Sequence, residues 1–348
     1  MTTGTAGSDA RGRRRRGDPT VARIARMAGV SPPTVSKVLN GRPGVSASTR
    51  SRIEELIRDQ GYRRDARVEN APLVELVFPV LSTPWALEII QGVERVLQPH
   101  GLAATVTEMH GRHTPVKGWI DDVLARRPVA VVGVSVQLTS AQHAQLRSRG
   151  IPVVNLDPTG EPSHPTPSVG AMNWNGGLAA ARHLLELGHR RIAMINGSPA
   201  EFVCCRARED GYRAALEAAG VRPDRALVRV APLYMTGGLA EATELLALPK
   251  PPTAIFAAND LQALGVYEAA RRAGVRIPED LSVVGFDDLP FVQWLGPPLT
   301  TVRQPLMQMG ATAAEMALTM ANGRSPDYER IELPTTLMVR QSTQAPAR

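Results

Sequence analysis

The chain has 348 residues and is 43% hydrophobic, and this length predicts two or three domains rather than one. It contains no run of about eighteen apolar residues, which argues against a membrane span, and no apolar stretch follows its N-terminal arginines, which argues against a signal peptide. The two cysteines, Cys204 and Cys205, are neighbours, a spacing that fits neither a metal site nor an unstrained disulfide. We therefore expect a cytoplasmic protein with reduced thiols and no bound metal.

Positive charge is concentrated at one end of the chain. The formal net charge is +7, yet residues 1–70 contain 15 Lys and Arg against 7 Asp and Glu, whereas residues 71–348 contain 25 against 26. A basic segment on an otherwise neutral chain is the electrostatic footprint of a nucleic-acid-binding module. The arginine run at 13–16, taken alone, fits a solubilising tail equally well.

The basic region contains the pattern of three short helices. Apolar residues recur at helical spacing in three segments, which are residues 21–28, 32–39 and 47–60. Gly29 breaks the first segment from the second, and Pro32 suits the first position of a helix because it has no backbone N–H to leave unpaired. Ser31 and Ser46 precede the second and third segments as predicted N-caps. Three short apolar faces predict one small domain that lacks room for an enzyme cleft.

From residue 73 onward, short β-rich runs alternate with amphipathic helical runs. The β-rich runs are residues 73–80, 129–136, 151–157, 191–197, 253–259 and 282–288. The helical runs between and after them include residues 86–98, 176–188, 261–274 and 309–321. This alternation predicts parallel sheets with helices on both faces, and about ten strands over the remaining chain predict two lobes.

The predicted fold class is an all-α helix-turn-helix domain followed by an α/β core of two doubly wound, parallel-sheet lobes. The predicted segments are a disordered basic arm at 1–17, the helical domain at 18–65, a short linker at 66–72, the core at 73–341 and a tail at 342–348. Within the core, we expect a first lobe of about 73–170 with 302–328, and a second lobe of about 171–301 with 329–341.

The segment from Val21 to Leu39 has what a helix-turn-helix requires. It offers two short helices, a tight turn at Gly29, and a second helix with polar residues off its apolar face. Thr34, Ser36 and Lys37 lie on that polar face, where they can meet base edges. The candidate phosphate contacts around it are Arg23, Arg26, Arg42, Arg50 and Arg52.

The run 27-MAGVSPPTVSKVLNGRPGVSASTRSRI-53, followed by 61-GY-62, closely resembles the signature of the lactose/galactose-repressor (LacI/GalR) family. The resemblance continues through 208-REDGYRAAL-216, 256-FAANDLQALGVYEA-269 and 297-PPLTTVRQP-305, and it spans roughly residues 19–340. It implies a transcriptional regulator whose core is similar to periplasmic sugar-binding proteins. In that family two lobes close on an effector, and the core also forms dimers.

The resemblance implies how this chain reads DNA. The positions that match the family's base readers are Pro32, Pro33 and Lys37. The prolines have no side-chain donor or acceptor, so only an apolar contact with a thymine methyl group is open to them, while Lys37 is a candidate for guanine or, alternatively, phosphate. The link 63-RRDARVENAPL-73 is shorter than the family's hinge and lacks its wedging leucine, so we expect less operator bending. The predicted DNA-binding residues are Thr20, Ser31, Pro32, Pro33, Thr34, Ser36, Lys37, Asn40, Arg50 and Arg67.

Polar and aromatic residues stand at the predicted strand ends, where doubly wound sheets bind ligands. Carboxylates, amides and guanidinium groups bond sugar hydroxyls, and an aromatic ring covers the apolar face of a sugar. The resemblance, with Tyr234 added as an aromatic wall, implies effector contacts at Trp85, Asp157, Arg208, Tyr234, Asn259 and Asp287. We expect Asn173 and Asn175 to cap the following helix instead, and Asp288 to be a turn residue.

The sequence therefore predicts a repressor of carbohydrate uptake or catabolism genes. It would bind a near-palindromic operator as a homodimer and respond to a small carbohydrate effector in the cleft between the lobes. Control by a partner protein instead of a sugar remains an alternative, and a solute-binding protein is a further one that the N-terminal domain disfavours. No nucleophile elbow, phosphate loop or metal-ligand spacing occurs, so we expect neither an enzyme nor a cofactor.

Overall fold

The computed structural model describes residues 20–39, 44–60, 70–160 and 166–347. The chain divides into two compact units, one formed mainly by residues 1–69 and one by the residues that follow. The predicted basic arm and most of the predicted linker lie outside the described residues. No helix of the described ranges combines the length and the hydropathy that crossing a membrane requires.

The described residues of the N-terminal unit form three helices, α1 (Val21–Ala28), α2 (Pro32–Leu39) and α3 (Ala47–Asp59). Thr20 caps α1 through its hydroxyl, which accepts a hydrogen bond from the backbone N–H of Arg23 at 3.2 Å. Gly29 ends α1 with a positive φ of 66°, a left-handed conformation that glycine adopts without strain. Ser46 caps α3 by accepting from the N–H of Thr49 at 3.3 Å. The helices share a small core formed by Ile24, Ala25, Ala28, Val35, Val38 and Ile53.

The first lobe of the second unit is built on a six-stranded sheet. Its strands are β1 (Ala71–Phe78), β2 (Ala103–Glu108), β3 (Pro128–Val134), β4 (Val153–Leu156), β5 (Ser168–Ala171) and β11 (Arg330–Leu333). They lie in the order β11-β5-β4-β3-β1-β2, and every pair is parallel. The accompanying helices are α4 (Pro84–Leu97), α5 (Lys117–Arg126), α6 (Ser140–Ser148) and α11 (Leu306–Ala321). The middle strands are nearly continuous apolar runs because helices cover both faces of the sheet.

The second lobe repeats this architecture. Its strands are β6 (Ile192–Asn196), β7 (Val228–Val230), β8 (Ala254–Ala257), β9 (Ser282–Asp287), β10 (Thr300–Arg303) and β12 (Thr336–Met338). They lie in the order β12-β10-β9-β8-β6-β7, and β12 alone of these strands pairs antiparallel with its neighbour. The accompanying helices are α7 (Asn173–Glu186), α8 (Val203–Ala218), α9 (Met235–Leu246) and α10 (Asp260–Ala273). The predicted fold class is confirmed.

Three predicted boundaries differ from the structure. Strand β1 already begins at Ala71, so the last two residues of the predicted linker belong to the first sheet. Strand β10 extends to Arg303, so residues 302–303 belong to the second lobe rather than the first. Strand β11 pairs with β5, so residues 330–333 belong to the first lobe rather than the second. The chain therefore passes between the lobes after β5, after β10 and after β11.

The predicted tail is part of the second lobe. Ser342 is fully buried, and its hydroxyl donates to the carbonyl of Val283 at 2.6 Å and accepts from the N–H of Thr300 at 2.7 Å. The carbonyl of Gln344 accepts from Ser282 at 3.1 Å. This segment is polar in sequence, yet Ser342 and Gln344 form hydrogen bonds to buried strands. The prediction of a separate tail was therefore wrong.

Candidate functional site

A cavity of about 550 Å³ lies between the two lobes, at the carboxyl ends of their parallel strands. The chain reverses at each strand end to begin a helix, so short loops from both sheets converge on this space. The structure brings together all six residues that the sequence analysis proposed for an effector, and these are Trp85, Asp157, Arg208, Tyr234, Asn259 and Asp287. Two come from the first lobe and four from the second.

Arg208 lies on α8 and is held from three sides. Its Nε donates to Oδ1 of Asn173 at 2.8 Å, its Nη1 donates to the carbonyl of Ala258 at 2.6 Å, and its guanidinium carbon lies 3.8 Å from the ring centre of Phe286. Nη2 has no hydrogen-bond partner among the described residues and is not among the buried side-chain atoms that lack one, and Arg208 lines the cavity. The guanidinium is therefore fixed in position with one donor group open to the cavity.

Asn173 was predicted to cap α7, and the structure corrects this. Its Oδ1 accepts from Arg208, and its Nδ2 donates to the carbonyl of Ala171 at 3.0 Å, so neither atom caps the helix. Two glycines bring the partners together, because a Cβ atom at Gly177 would lie 2.2 Å from the carbonyl oxygen of Arg208, and one at Gly211 would lie 2.1 Å from that of Trp174. The close approach of α7 and α8 places Asn173 beside Arg208.

Asp287 ends β9 with a φ of 113°, and its Oδ1 accepts from Nε2 of Gln304 at 2.6 Å. Burial raises the pKa of Asp287 to about 7, although the nearby charge of Arg208 opposes that shift. The following turn is held by Asp260, whose carboxylate accepts from the N–H of Leu289 at 2.8 Å. Near pH 7 the carboxyl group at this edge of the cavity therefore exchanges between a neutral and a charged form.

Asp157 follows β4 in the first lobe and has a φ of 49°. Ser135, which follows β3, donates its hydroxyl to the carbonyl of Asp157 at 3.1 Å. Burial raises the pKa of Asp157, while the charge of Arg208 and the hydroxyl of Ser135 oppose the shift. Positive φ values at Ser135, Asp157 and Asp287 are the kind of backbone strain that concentrates at binding sites.

Asn259 connects two loops of the second lobe. Its Oδ1 caps α10 by accepting from the N–H of Gln262 at 2.8 Å, and its Nδ2 donates to the carbonyl of Leu233 at 3.0 Å. The residue after Leu233 is Tyr234, a 42%-exposed aromatic side chain at the start of α9. Trp85, near the start of α4, provides a second aromatic side chain from the first lobe.

Several cavity residues were not predicted. They include His113, Ser135, Phe202, Cys204 and Gln304. Gln304 and Ser135 directly follow strands, so the rule that located the other residues also applies to them. His113 and Phe202 lie in loops without a local pattern, and no signal in the sequence singles them out. Asp288, predicted as a turn residue, has a φ of 58° and pairs with Arg303 and Arg340.

The predicted DNA-binding residues cluster around α2 in the N-terminal unit. Ser31, Pro32, Pro33 and Lys37 are exposed, whereas Thr34, Ser36 and Arg50 are half-buried. Thr34 forms a 2.9 Å hydrogen bond with Ser31 through the two hydroxyl groups. Thr20 is the cap of α1 described above. Asn40 and Arg67 lie outside the described residues.

The described part of the chain contains no cluster of three or more His, Cys, Asp or Glu side chains that could hold a metal ion. Its two thiols are free: Cys205 is buried, and Cys204 is half-buried at the cavity wall.

Comparison with known proteins matches both units. A family model described as bacterial regulatory proteins of the lacI family matches residues 20–65, and a periplasmic binding protein-like domain matches residues 181–343. The transcriptional regulator CelR of Thermobifida fusca is 35% identical over 342 residues, covering 95% of this chain and 99% of the relative.

Two solved structures are similar over nearly the whole chain. A complex of the transcriptional regulator CelR with cellobiose has a TM-score of 0.71 at 33% identity, covering 93% of this chain and 99% of the other. The lac repressor dimer bound to operator and the anti-inducer ONPF has a TM-score of 0.69 at 26% identity, covering 94% and 100%. Both similarities extend through the helical unit and the two lobes.

Proposed function

The chain belongs to the LacI family of bacterial regulatory proteins, and from that premise we propose that it represses genes of carbohydrate uptake or catabolism. It binds a near-palindromic operator as a homodimer in the cytoplasm, and a small sugar in the inter-lobe cavity controls that binding. The observation that carries the proposal is the convergence of an arginine, two carboxylates, an amide and two aromatic side chains on one cavity.

The polar groups of the cavity suit hydroxyl-rich ligands. Nη2 of Arg208 donates, while the carboxylates of Asp157 and Asp287 accept, so neighbouring hydroxyl groups of a sugar can be bonded from both directions. Trp85 and Tyr234 line the cavity with aromatic rings, which suit the apolar side of a pyranose. A cavity of about 550 Å³ lies within the range of roughly 300–1,000 Å³ that holds small ligands. The similar regulator CelR has been solved with cellobiose, which supports a saccharide.

Binding to DNA is assigned to α2. In a helix-turn-helix the N-terminal residues of the second helix contact base edges in the major groove, and here the first two of them, Pro32 and Pro33, are exposed. The match of residues 20–65 to the lacI-family model of bacterial regulatory proteins supports recognition of DNA as the function of this unit. Two-fold symmetry of a homodimer then requires two half-sites of opposite orientation, which is a near-palindrome.

Control follows from the position of the cavity between two lobes. A sugar that contacts both lobes binds one lobe arrangement more tightly than the other and shifts the population toward it. That shift alters the spacing of the paired DNA-binding units and lowers the affinity for a two-fold operator. By linkage, operator binding lowers the affinity for the sugar by the same factor.

The test is footprinting of the full-length protein on DNA upstream of its own gene, with and without cellobiose, maltose, lactose and ribose. A symmetric protected site that fades with one sugar supports the proposal. A site that none of these sugars alters, in a protein whose cavity binds none of them by calorimetry, contradicts sugar control and favours a partner protein. Protection without boundaries contradicts sequence-specific binding, because non-specific binding rests on phosphate contacts alone.

Arg208→Lys provides the matched variant. Lysine keeps the positive charge but loses the planar set of donors that Asn173 and Ala258 hold in place. We expect this variant to protect the same operator with unchanged boundaries and to lose the response to the sugar.

A further inference from the structure

His113 is fixed in the first lobe by two hydrogen bonds to one segment. Its backbone carbonyl accepts from the N–H of Gln137 at 2.7 Å, and its ring Nδ1 lies 2.7 Å from the carbonyl oxygen of Ser135. Both partners belong to the loop that follows β3, and that loop ends at the cavity. The ring therefore has a fixed position on the cavity wall although His113 lies outside any helix or strand.

The bond to Ser135 also determines which ring nitrogen accepts. A carbonyl oxygen can only accept, so Nδ1 of His113 carries the hydrogen, and in the neutral ring Nε2 has a free lone pair. Nε2 makes no hydrogen bond to a described residue, and it is not among the buried side-chain atoms that lack a hydrogen-bond partner, so it is an accessible atom. Because His113 lines the cavity, this acceptor is available to a ligand there.

The same ring touches the second lobe. His113 meets Phe202 edge to face, with ring centres 5.0 Å apart and planes inclined by 76°. Phe202 immediately precedes α8, the helix that carries Arg208. The N–H of Val203 reaches the carbonyl of Thr159 in the first lobe at 3.2 Å beside this contact. His113 thus stands where the two lobes meet at the cavity.

We propose that His113 is an effector-binding residue, which accepts a hydrogen bond at Nε2 from an effector hydroxyl and thereby joins that hydroxyl to the contact between the lobes. This inference rests on the proposed function, since it assigns a further contact to the same cavity. It gives the first lobe an imidazole acceptor in addition to the carboxyl group of Asp157. A ligand bonded at once to His113 and to Arg208 stabilises the arrangement in which Phe202 touches His113.

The test uses two variants, one that keeps the hydrogen-bond donor of the imidazole ring and one that keeps its acceptor. In His113→Asn the side-chain amide can still donate to Ser135, but no atom reaches the position of Nε2. In His113→Gln the longer amide brings an acceptor to about that position. His100→Asn is the matched control, because Nδ1 of His100 also bonds a backbone carbonyl, that of Val96 at 2.9 Å. Unlike His113, His100 is exposed and lies outside the cavity.

The probes are cellobiose, maltose, lactose and ribose, with monodeoxy derivatives of the sugar that binds best, measured by calorimetry. We expect His113→Asn to weaken that sugar about tenfold, the effect of one hydrogen bond, and His113→Gln to recover part of the loss. One deoxy derivative should bind the wild type about tenfold more weakly than the parent sugar does. The same derivative should bind His113→Asn with the same affinity as the parent sugar. The control should bind like the wild type.

Three results separate the outcomes. If the wild type binds none of the four sugars, sugar control itself fails and this inference fails with it. A second result is that a sugar binds, but removing any one hydroxyl group lowers its affinity by the same factor for the wild type and for His113→Asn. That result overturns the proposal for His113 and leaves sugar control intact. Nitrogen NMR of the wild-type ring needs no variant and decides the case in which His113→Asn does not fold. The Nε2 resonance should move when the sugar binds, and a resonance that stays in place would overturn the assignment.

Discussion

Gln304 donates from Nε2 to Oδ1 of Asp287 at 2.6 Å, and its backbone N–H donates to the carbonyl of the same residue at 3.2 Å. Gln304 directly follows β10, where the chain leaves the second lobe for α11 of the first. One carboxylate of the cavity is therefore attached by two hydrogen bonds to a segment that connects the lobes. A change in the charge or the ligand of Asp287 acts directly on that connection.

Replacing Asp287 by Asn should remove a pH-dependent loss of stability. The pKa of Asp287 is about 7 in the folded chain, whereas an unfolded Asp titrates near pH 4. Between these values the folded state binds more protons than the unfolded state, so the free energy of unfolding falls as pH rises and stays lowered above pH 7. At about 1.4 kcal/mol per pKa unit, the loss reaches at most about 4 kcal/mol.

Asn does not ionise, and its oxygen still accepts from Gln304. We therefore expect urea unfolding at pH 5, 6, 7 and 8 to show that the free energy of unfolding of Asp287→Asn increases relative to that of the wild type as pH rises. Above pH 8 the difference should no longer grow. The exposed Asp327→Asn serves as the control and should keep a constant difference from the wild type. A constant difference for Asp287→Asn as well would show that Asp287 titrates alike in both states.

Asn173→Ala should weaken the sugar response without affecting operator affinity. The substitution leaves Nε of the buried Arg208 without its partner and lets the guanidinium turn, at a cost of about 1–3 kcal/mol in stability. We expect sugar affinity to fall about tenfold by calorimetry, while operator affinity without sugar stays unchanged. Asn175→Ala is the control on the same helix, since that side chain is exposed. Equal losses in the two variants would contradict a positioning role for Asn173.

The sequence predicted several polar residues of the cavity because strand ends are recognisable locally. Asn259 and Asp287 each follow a continuous apolar run, and Asp157 follows a strand in which Asn155 is the one polar residue. Parallel topology brings the ends of such strands to one edge. Arg208 was located through the family resemblance, but its partner Asn173 was mistaken for a helix cap. The local sequence offered a capping position and gave no indication that two glycines bring another helix within reach.

Other features depend on contacts between distant segments. Strand β11 is exposed or half-buried along its length and alternates charged with apolar residues, so its four residues carry little strand signal, and pairing with β5 decides its lobe. The positions of His113 and Phe202 follow from loops anchored to other loops. Ser342 is buried because backbone groups of two strands bond its hydroxyl, which composition alone does not reveal.

Removing residues 342–348 should destabilise the second lobe. The truncation takes away the hydroxyl of Ser342 and leaves the N–H of Thr300 without its partner inside the protein. Unpaired buried groups cost about 1–3 kcal/mol each, so we expect a loss of roughly 2–4 kcal/mol by urea unfolding. Removing only residues 345–348 is the matched control, since it keeps Ser342 and Gln344. Equal stability of the two truncated proteins would show that the bonds of Ser342 contribute nothing.

Removing a single methyl group from the operator should reveal how α2 reads it. The exposed rings of Pro32 and Pro33 make no hydrogen bonds, so a thymine methyl group is the feature of the major groove that they can recognise. Replacing that thymine by deoxyuridine should cost about 1 kcal/mol, close to fivefold in affinity. Gel-shift titration of operators substituted one thymine at a time measures it.

Pro33→Ala should reduce the difference between thymine and deoxyuridine at the sensitive position and leave it unchanged elsewhere. Deoxyuridine outside the protected site is the control on the DNA. If no replacement of a thymine by deoxyuridine in either half-site lowers the affinity, the prolines only begin the helix, as proline commonly does at that position.

Trp294→Ala should weaken dimerisation. Trp294 is 82% exposed at the end of a short helix in the second lobe, and large aromatic side chains are enriched at the centres of protein interfaces. Truncating an anchor residue of this kind costs about 2 kcal/mol or more, so the dimer should dissociate at a concentration about thirtyfold higher in sedimentation equilibrium. Operator affinity should fall in parallel at low protein concentration and recover at high concentration, because a monomer engages one half-site only.

Trp174→Ala, at 42% exposure on α7, is the control for losing an accessible tryptophan. A variant that remains dimeric at the wild-type concentration would place the interface on another surface.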